Sequence, residues 1–245
     1  MNPNLVWQIH LNSLLKAGKL ADPRGLRSYE ILNKAVTFDT TQPVIENSER
    51  RLNYKFMAAE ALWILSGSNL LAPIYKVCRP YAKFSDDGIH MNGAYGPKIV
   101  DQLEYVTRTL EKDQFSRQAV INLWRERPMP SKDIPCTLSM QFLIRKGFLH
   151  NIVTMRSSDA WLGLPYDLFT FSMITQTVAA LLDMAITPGD LHINMGSAHF
   201  YETDAEGVKM ASLAPSKKAP IKVHLHSTAS ITHYLEGIIK HGKAK

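Results

Sequence analysis

The feature that most limits the fold is the order in which two hydrophobic periods follow one another. Period-two alternation, the mark of a strand with one buried face, runs through NKAVTFDT (33–40), RQAVINLW (117–124), TLSMQFLI (137–144), FLHNIVTM (148–155), LHINMG (191–196) and IKVHLH (221–226). Helical spacing runs through 4–19, about 50–66, 97–112 and about 166–186, and STASITHYLEGIIKH (227–241) reads as a Ser-capped terminal helix. RKG (145–147) is a turn between two strands, and TPGD (187–190) ends the helix before LHINMG. Three strands in succession between helices exclude a regular βαβ alternation, so the pattern predicts an α+β fold. One domain is expected over residues 1–245, with neither repeats nor a low-complexity linker to divide it.

Composition narrows the setting. An apolar content of 45% is enough for a real core, yet the longest apolar run, TVAALLDMAI (177–186), stops far short of a membrane span. The N-terminus lacks a basic-then-apolar leader, so the chain is expected to be cytoplasmic and to make no membrane contact. Two cysteines, Cys78 and Cys136, cannot build a disulfide framework, and no CxxC, HExxH or paired Cys/His spacing calls for a metal. The net charge of +6 is scattered apart from SKKAPIK (216–222) and KHGKAK (240–245), and no aromatic residues interleave with it as in single-strand binders. A small phosphorylated ligand accounts for it as well as a nucleic acid does.

Several residues stand out against their surroundings. Glu60 shares a helical face with Phe56, Trp63 and Ile64, which makes it an acid in an apolar stripe. It is either a buried carboxylate paired to an arginine or a proton-transfer group whose burial raises its pKa. Cys136 follows Pro135 at the start of a strand and is either a small core residue or a nucleophile; Cys78 reads as core. Arg156 and Ser157 end a strand together, a guanidinium fork plus a hydroxyl that suits phosphate, or else Arg156 pairs with Asp159 at the surface. His199 and Tyr201 are core residues or hydroxyl-binding groups. The loop SDDGIHMNGAYG (85–96) is long enough to suspect function.

Taken together, these segments resemble the thymidylate synthase family, collinearly over about 24–204. EALWILSG (60–67) resembles its acid-bearing helix, GAYG (93–96) its Tyr-Gly segment and SRQAVINLW (116–124) its Ser-Arg-Arg strand. IPCTLSMQF (134–142) resembles the Pro-Cys nucleophile strand, RSSDAWLGLPYD (156–167) the Arg-Ser-x-Asp to Gly-x-Pro-Phe-Asn run, and PGDLHINMGSAHFY (188–201) the sugar-binding His-x-Tyr segment. The resemblance implies a mixed sheet packed with helices, an obligate homodimer joined through a sheet face with shared active sites, and 5,10-methylenetetrahydrofolate as one-carbon donor to a pyrimidine nucleoside monophosphate.

By the same resemblance Cys136 adds to C6 of the ring, which turns C5 into an enamine-like nucleophile. Arg156 should raise the thiolate fraction of a group whose ordinary pKa is about 8.5. Glu60 relays protons and Tyr95 helps the C5 proton leave. Arg156, Ser157, Arg117 and one of Arg24 or Arg27 hold phosphate, with Arg117 reaching the neighbouring subunit's site. Gln141 belongs to the substrate-binding set, and His199 and Tyr201 take the sugar hydroxyl. Asp159 holds the pterin, and Leu162, Gly163 and Tyr166 form an apolar wall.

The departures from the family pattern refine the expectation. Asp167 stands where most members have Asn. An ionised carboxylate only accepts, so it suits the 4-amino edge of cytosine, and N3 once protonated, better than uracil; a neutral Asp167 that still accepts uracil would need a raised pKa. The pattern resembles the cytidylate hydroxymethylase branch known from bacteriophages and nucleoside-antibiotic pathways. The loop 81–96 has no tryptophan and the chain ends in ITHYLEGIIKHGKAK, not the family's apolar terminus, which favours water as the final nucleophile. Gln118, Thr137 and Ser197 also depart from the pattern.

The expected activity is therefore hydroxymethylation of a cytosine nucleotide, dCMP first and CMP next. The alternatives are a dCMP methyltransferase, a thymidylate synthase or dUMP hydroxymethylase, a basic nucleic-acid-binding protein on a retired scaffold, and a thiol hydrolase using Cys136 and His199.

Overall fold

A computed structural model describes residues 2–125, 129–215 and 220–244 of the chain. The first helix, α1 (Pro3–Ala17), begins where the Asn2 side chain accepts from the Asn4 amide and Pro3 needs no partner. A short strand, β1 (Lys19–Ala21), leads through a 3-10 turn (Pro23–Gly25) into β2 (Ser28–Asp39). Two helices, α2 (Tyr54–Leu65) and α3 (Leu71–Tyr75), precede a second 3-10 turn (Arg79–Phe84) and α4 (Gly96–Lys112). β3 (Val120–Asn122), β4 (Thr137–Arg145) and β5 (Phe148–Asp159) follow in succession. The chain continues through α5 (Leu164–Leu181), β6 (Thr187–Tyr201), α6 (Ala205–Leu213) and α7 (Thr228–His241).

The six strands form one sheet in the order β1-β2-β6-β5-β4-β3, antiparallel except for the parallel pair β5 and β6. A parallel pair needs a crossover, and α5 supplies it; the helix is buried along almost its whole length because it lies on the sheet. Burial alternates along the strands as the sequence predicts. Met140, Phe142 and Ile144 of β4, Leu149, Val153 and Met155 of β5, and Leu191, Ile193 and Met195 of β6 all point into the helical layer. The alternate residues, among them Leu143, Ile152 and Thr154, stay partly accessible on the other face. The mixed sheet with helices against it is the α+β architecture expected. Among the described residues no helix is long and apolar enough to cross a membrane.

The strand and helix boundaries differ from expectation where tertiary contacts decide. The helix expected from residue 50 starts only at Tyr54, because Asn53 caps it through its side chain and the Phe56 amide. The loop before residue 96 contains α3 and a 3-10 turn, both too short to carry a periodic signal. TPGD is not a turn that ends α5 but the first residues of β6, paired to Phe148 and Leu149. The helix α6 was not anticipated, since AEGVKMASL has only a weak apolar stripe. The basic run 216–222 lies partly outside the described residues.

IKVHLH is not a strand. Its backbone instead passes Thr40 and Thr41, just beyond the end of β2, and is held by one buried side chain on α5. Gln176 Nε2 donates to the carbonyls of Thr40 (3.1 Å) and Val223 (3.3 Å), and its Oε1 accepts from the Leu225 amide at 3.1 Å. The Val223 amide donates to Thr41 O at 2.8 Å. An alternating sequence can make a strand only where a free strand edge is offered, and here the polar groups of α5 take its hydrogen bonds first.

Replacing Gln176 by Leu leaves two carbonyls and an amide without partners in a buried place. Chemical unfolding should show a loss of about 2–4 kcal/mol. The exposed ion pair between Arg108 and Glu104 (2.5 Å) serves as the comparison; Glu104→Ala should cost less than about 0.5 kcal/mol. Equal effects of the two changes would show that Gln176 is not the clamp on this segment.

Candidate active site

The cleft opens at the edge where β4 begins and where the parallel pair β5 and β6 ends. Cys136 lies just before β4, beside a register shift between Thr137 and Ser139 that lifts the strand start out of regular pairing. Arg156 on β5 fixes that start: its Nε donates to Pro135 O (3.0 Å), its Nη2 to Ile134 O (3.0 Å) and its Nη1 to Ser157 Oγ at 3.1 Å. Two of its five N–H groups remain for a ligand. Ser157 Oγ in turn donates to Cys136 Sγ at 3.8 Å. No Arg156–Asp159 ion pair forms; Asp159 Oδ1 instead accepts from the amides of Trp161 (2.8 Å) and Leu162 (2.9 Å).

GAYG owes its two glycines to close approach. A Cβ on Gly93 would stand 2.7 Å from the Asp133 carboxylate, whose Oδ2 takes the Gly93 amide proton. A Cβ on Gly96 would stand 2.8 Å from Ser68 O and 2.9 Å from Ile64 O, where α4 starts against the end of α2. Tyr95 between them is thereby aimed at the nucleophile strand. Its Oη accepts from Thr137 Oγ1 (3.0 Å) and more weakly from the Thr137 amide (3.3 Å). Burial first, then the nearby Asp167 and Cys136 charges, hold its phenol far above the ordinary range, so it stays protonated.

Three carboxyls line the same cleft. Glu60 on α2 is pushed up to about 7 by burial, although a hydrogen bond from Tyr81 opposes the rise. Its partner is thus a tyrosine, not an arginine: Tyr81 Oη donates to Glu60 Oε1 at 2.5 Å. Asp167 in the first turn of α5 stands well above its ordinary value because of burial, the Glu60 charge and the Asp159 charge, in that order. Its carboxyl makes no hydrogen bond to the described residues, and it lies near Gly163, where a Cβ would come to ordinary contact, 3.5 Å from Oδ2. Asp159 is likewise raised by burial, and its Oδ2 is buried without a partner.

Two expectations need correction here. Asp167 does not keep the ordinary acidity assumed for it from the sequence, because burial and two neighbouring acids raise its pKa. Nor does Arg156 make Cys136 acidic: Arg156 lowers the thiol's pKa, but burial outweighs it and the net shift is upward.

The remaining candidates fall into three groups. His199 and Tyr201 end β6, with ring centroids 5.4 Å apart; Asp159 pairs with His199 across the parallel register, and His199 Nδ1 is buried without a partner. Leu162 is exposed, Gly163 caps α5, and Tyr166 packs edge-on to Phe56 at 5.1 Å while its hydroxyl accepts from the Asn53 amide at 3.1 Å. Arg27 is paired to Glu202 at 3.3 Å, whereas Arg24 is exposed and sits at φ 60° in the 3-10 turn.

Gln141 and Arg117 are not brought to this cleft. Gln141 Nε2 donates to Arg117 O at 2.8 Å, and Gln141 stands five residues along β4 from Cys136, which puts the pair roughly 17 Å away by strand rise. The departures have structural partners of their own: Thr137 serves Tyr95, and Ser197 Oγ donates to Glu30 Oε2 at 2.5 Å.

Sequence reasoning missed Tyr81 and Arg50. Arg50 lies over the rings of Trp161 (5.3 Å) and Tyr166 (5.5 Å), and its Nε donates to Trp161 O at 2.9 Å. Neither contact is local in sequence, so no spacing pointed to them.

A mixed six-stranded sheet whose strand ends gather a thiol, a guanidinium and buried carboxyls is the architecture of the thymidylate synthase class. The thymidylate synthase family profile matches residues 7–236, and the chain belongs to that family. The match reaches α1 and α7, beyond the 24–204 span of the sequence resemblance. Among curated proteins the chain is similar to a deoxyuridylate hydroxymethyltransferase of Bacillus phage SP01, 29% identical over 227 residues. The match covers 82% of this chain, which spans only 58% of that relative's length.

The upward shift of Cys136 predicts its reactivity. Alkylation by iodoacetamide, followed at the Cys136 peptide by mass spectrometry, should still be accelerating above pH 8.5. Arg156→Gln should push that rise to higher pH. A plateau below pH 7 would show that the guanidinium, not burial, controls the thiol.

Proposed function

We propose that the protein transfers a one-carbon unit to C5 of a cytosine nucleotide, dCMP, and releases it as hydroxymethyl. The observation that carries this reading is the unpaired, buried Asp167 carboxyl beside Cys136 and Tyr95. Protonated, it offers one donor and one acceptor. Opposite cytosine the O–H meets N3 and the C=O accepts from the 4-amino group. When the Cys136 thiolate, its own proton lost to solvent, adds at C6, electron density moves through C5 and C4 to N3, and the Asp167 proton can pass along the existing hydrogen bond, leaving a neutral N3–H enamine facing the new carboxylate. A raised pKa is what such a donor requires. In this reading the Asp167 carboxylate is the end of the addition step, and not its starting form.

Uracil is the second reading, and two observations favour it. A protonated Asp167 can donate to O4 and accept from N3–H as an amide would, and the phage relative is by name a deoxyuridylate enzyme. Cytosine is preferred because an amide, which cannot give up a proton, would serve uracil equally well without the cost of a buried acid.

The cleft fits 5,10-methylenetetrahydrofolate. The buried, unpartnered Asp159 Oδ2 suits the N–H donors of a pterin, and the exposed Leu162, Gly163 and the Tyr166–Phe56 wall suit its flat face. Bound there, the folate would supply the one-carbon unit. The chain's own groups do the rest: Arg156 with its two free N–H groups and Ser157 hold phosphate, with Arg24 the freer of the two turn arginines. Tyr95, kept protonated, sits beside the reacting carbon's proton, and Glu60, near 7, can both take and return protons at neutral pH. His199 and Tyr201 reach the sugar.

A homodimer through the accessible sheet face completes the reading, since Arg117 lies too far from its own Cys136 to serve it.

Purified protein given dCMP and methylenetetrahydrofolate should release tritium from C5 and yield a product heavier by one CH2O unit. Cys136→Ala should abolish both. A product heavier by CH2, with dihydrofolate formed in step, would establish a methylase. Asp167→Asn should move the dCMP-to-dUMP preference toward dUMP by about 10- to 100-fold; an unchanged ratio in a nucleotide panel read by mass spectrometry would mean that another residue reads the ring.

A further inference from the structure

Tyr81 has no part in the reading so far, yet it makes the shortest contact to the cleft's proton-transfer carboxyl. Its ring is wedged between Phe56 (centroids 5.7 Å apart), Trp63 (6.4 Å) and Phe84 (6.3 Å). With rings on three sides, the phenol cannot swing away from Glu60 without opening that packing. Its hydroxyl meets Glu60 Oε1 at 2.5 Å. The other oxygen, Oε2, takes no hydrogen bond from the described residues and is not sealed from solvent. The carboxyl is therefore divided into one anchored oxygen and one presented to the cleft.

We propose that Tyr81 is the positioning residue for Glu60, holding Oε1 so that Oε2 alone faces the reacting ring and the water that Glu60 must handle. The inference rests on the one-carbon-transfer reading, in which Glu60 moves protons. A free carboxyl on a helix side chain rotates and spreads its two oxygens over several orientations; a single fixed lone-pair direction is what a repeated proton transfer needs.

The tyrosine also acts on the charge. Burial lifts Glu60, and the Tyr81 hydrogen bond is the cause that opposes it. Among the described residues, Cys78 from the segment that carries Tyr81 and Asp167 from α5 feel the Glu60 charge, while Tyr95 before α4 and Asp133 from the loop before β4 act on Tyr81 itself. All are neutral or negative, so none replaces the lost donor. Tyr81 itself is held far above the ordinary phenol range by burial and by Glu60, and so stays a donor throughout the working pH range. Without it the carboxyl should ionise only at higher pH.

Tyr81→Phe keeps the ring and removes the hydroxyl. With 13C-labelled glutamate in the full chain and assignment through Glu60→Gln, the Glu60 titration should move up by about one pH unit. In turnover with dCMP and methylenetetrahydrofolate, the acidic limb of the kcat profile should move with it. At pH 7 kcat should fall about tenfold while KM for the nucleotide changes less than about twofold. Replacing Tyr81 by 3-fluorotyrosine, a stronger donor of nearly the same shape, should move the titration the other way, which keeps the test alive if Tyr81→Phe does not fold.

A Glu60 titration that stays at the same pH in the substituted proteins overturns the proposal, as does a kcat profile whose limb does not move. Wild-type protein that makes no product from any pyrimidine nucleotide overturns the one-carbon reading instead, and the Glu60 titration still reports whether Tyr81 governs that carboxyl.

Discussion

Three carboxyls share one cleft, and they cannot all be charged at once. Glu60, Asp159 and Asp167 come from α2, the end of β5 and the start of α5, and burial raises all three. Such a grouping persists only if something offsets it. Asp159 is offset in part by two backbone amides, Glu60 by a phenol, and Asp167 by nothing within the described protein. The least satisfied acid is also the one at which the sequence departs from its family, and burial and its two acidic neighbours shift its carboxyl toward the protonated form. The same burial raises the Cys136 thiol, and the Arg156 guanidinium pins the strand that carries it.

Much of this was legible in the sequence, and for identifiable reasons. Cys136, Arg156, Ser157, Asp159 and Asp167 lie within two short segments whose ends the sheet brings together, so their order along the chain already carried the arrangement. GAYG was readable as a motif, but its cause was not: each glycine answers to a backbone or carboxylate atom far away in sequence. Alternation gave β2, β4 and β5 because one face of each is buried.

The rest depended on contacts that no period encodes. IKVHLH alternates as well as any strand, yet Gln176 captures its backbone; the competing partner sits some fifty residues away on a strongly apolar helix. Tyr81 was one aromatic among several in a loop, and its importance comes from a carboxyl twenty-one residues earlier in the chain. Protonation was the least legible property. The sequence shows that an acid stands at 167 but not that two others stand beside it, and those two neighbours add to the burial that raises its pKa.

The single parallel pairing in the sheet has a consequence for how the cleft can be lost. Because β5 and β6 run the same way and hold one register from Asn151–Leu191 onward, past the irregularity after Leu149, Asp159 and His199 arrive at the rim as opposite members of one rung. A slip of one residue there would turn one strand over against the other, setting Ser158 outward beside His199 or Ala198 outward beside Asp159. Only the observed register brings the acid and the imidazole to the rim together, and the irregularity near the other end of the pair absorbs the mismatch away from it.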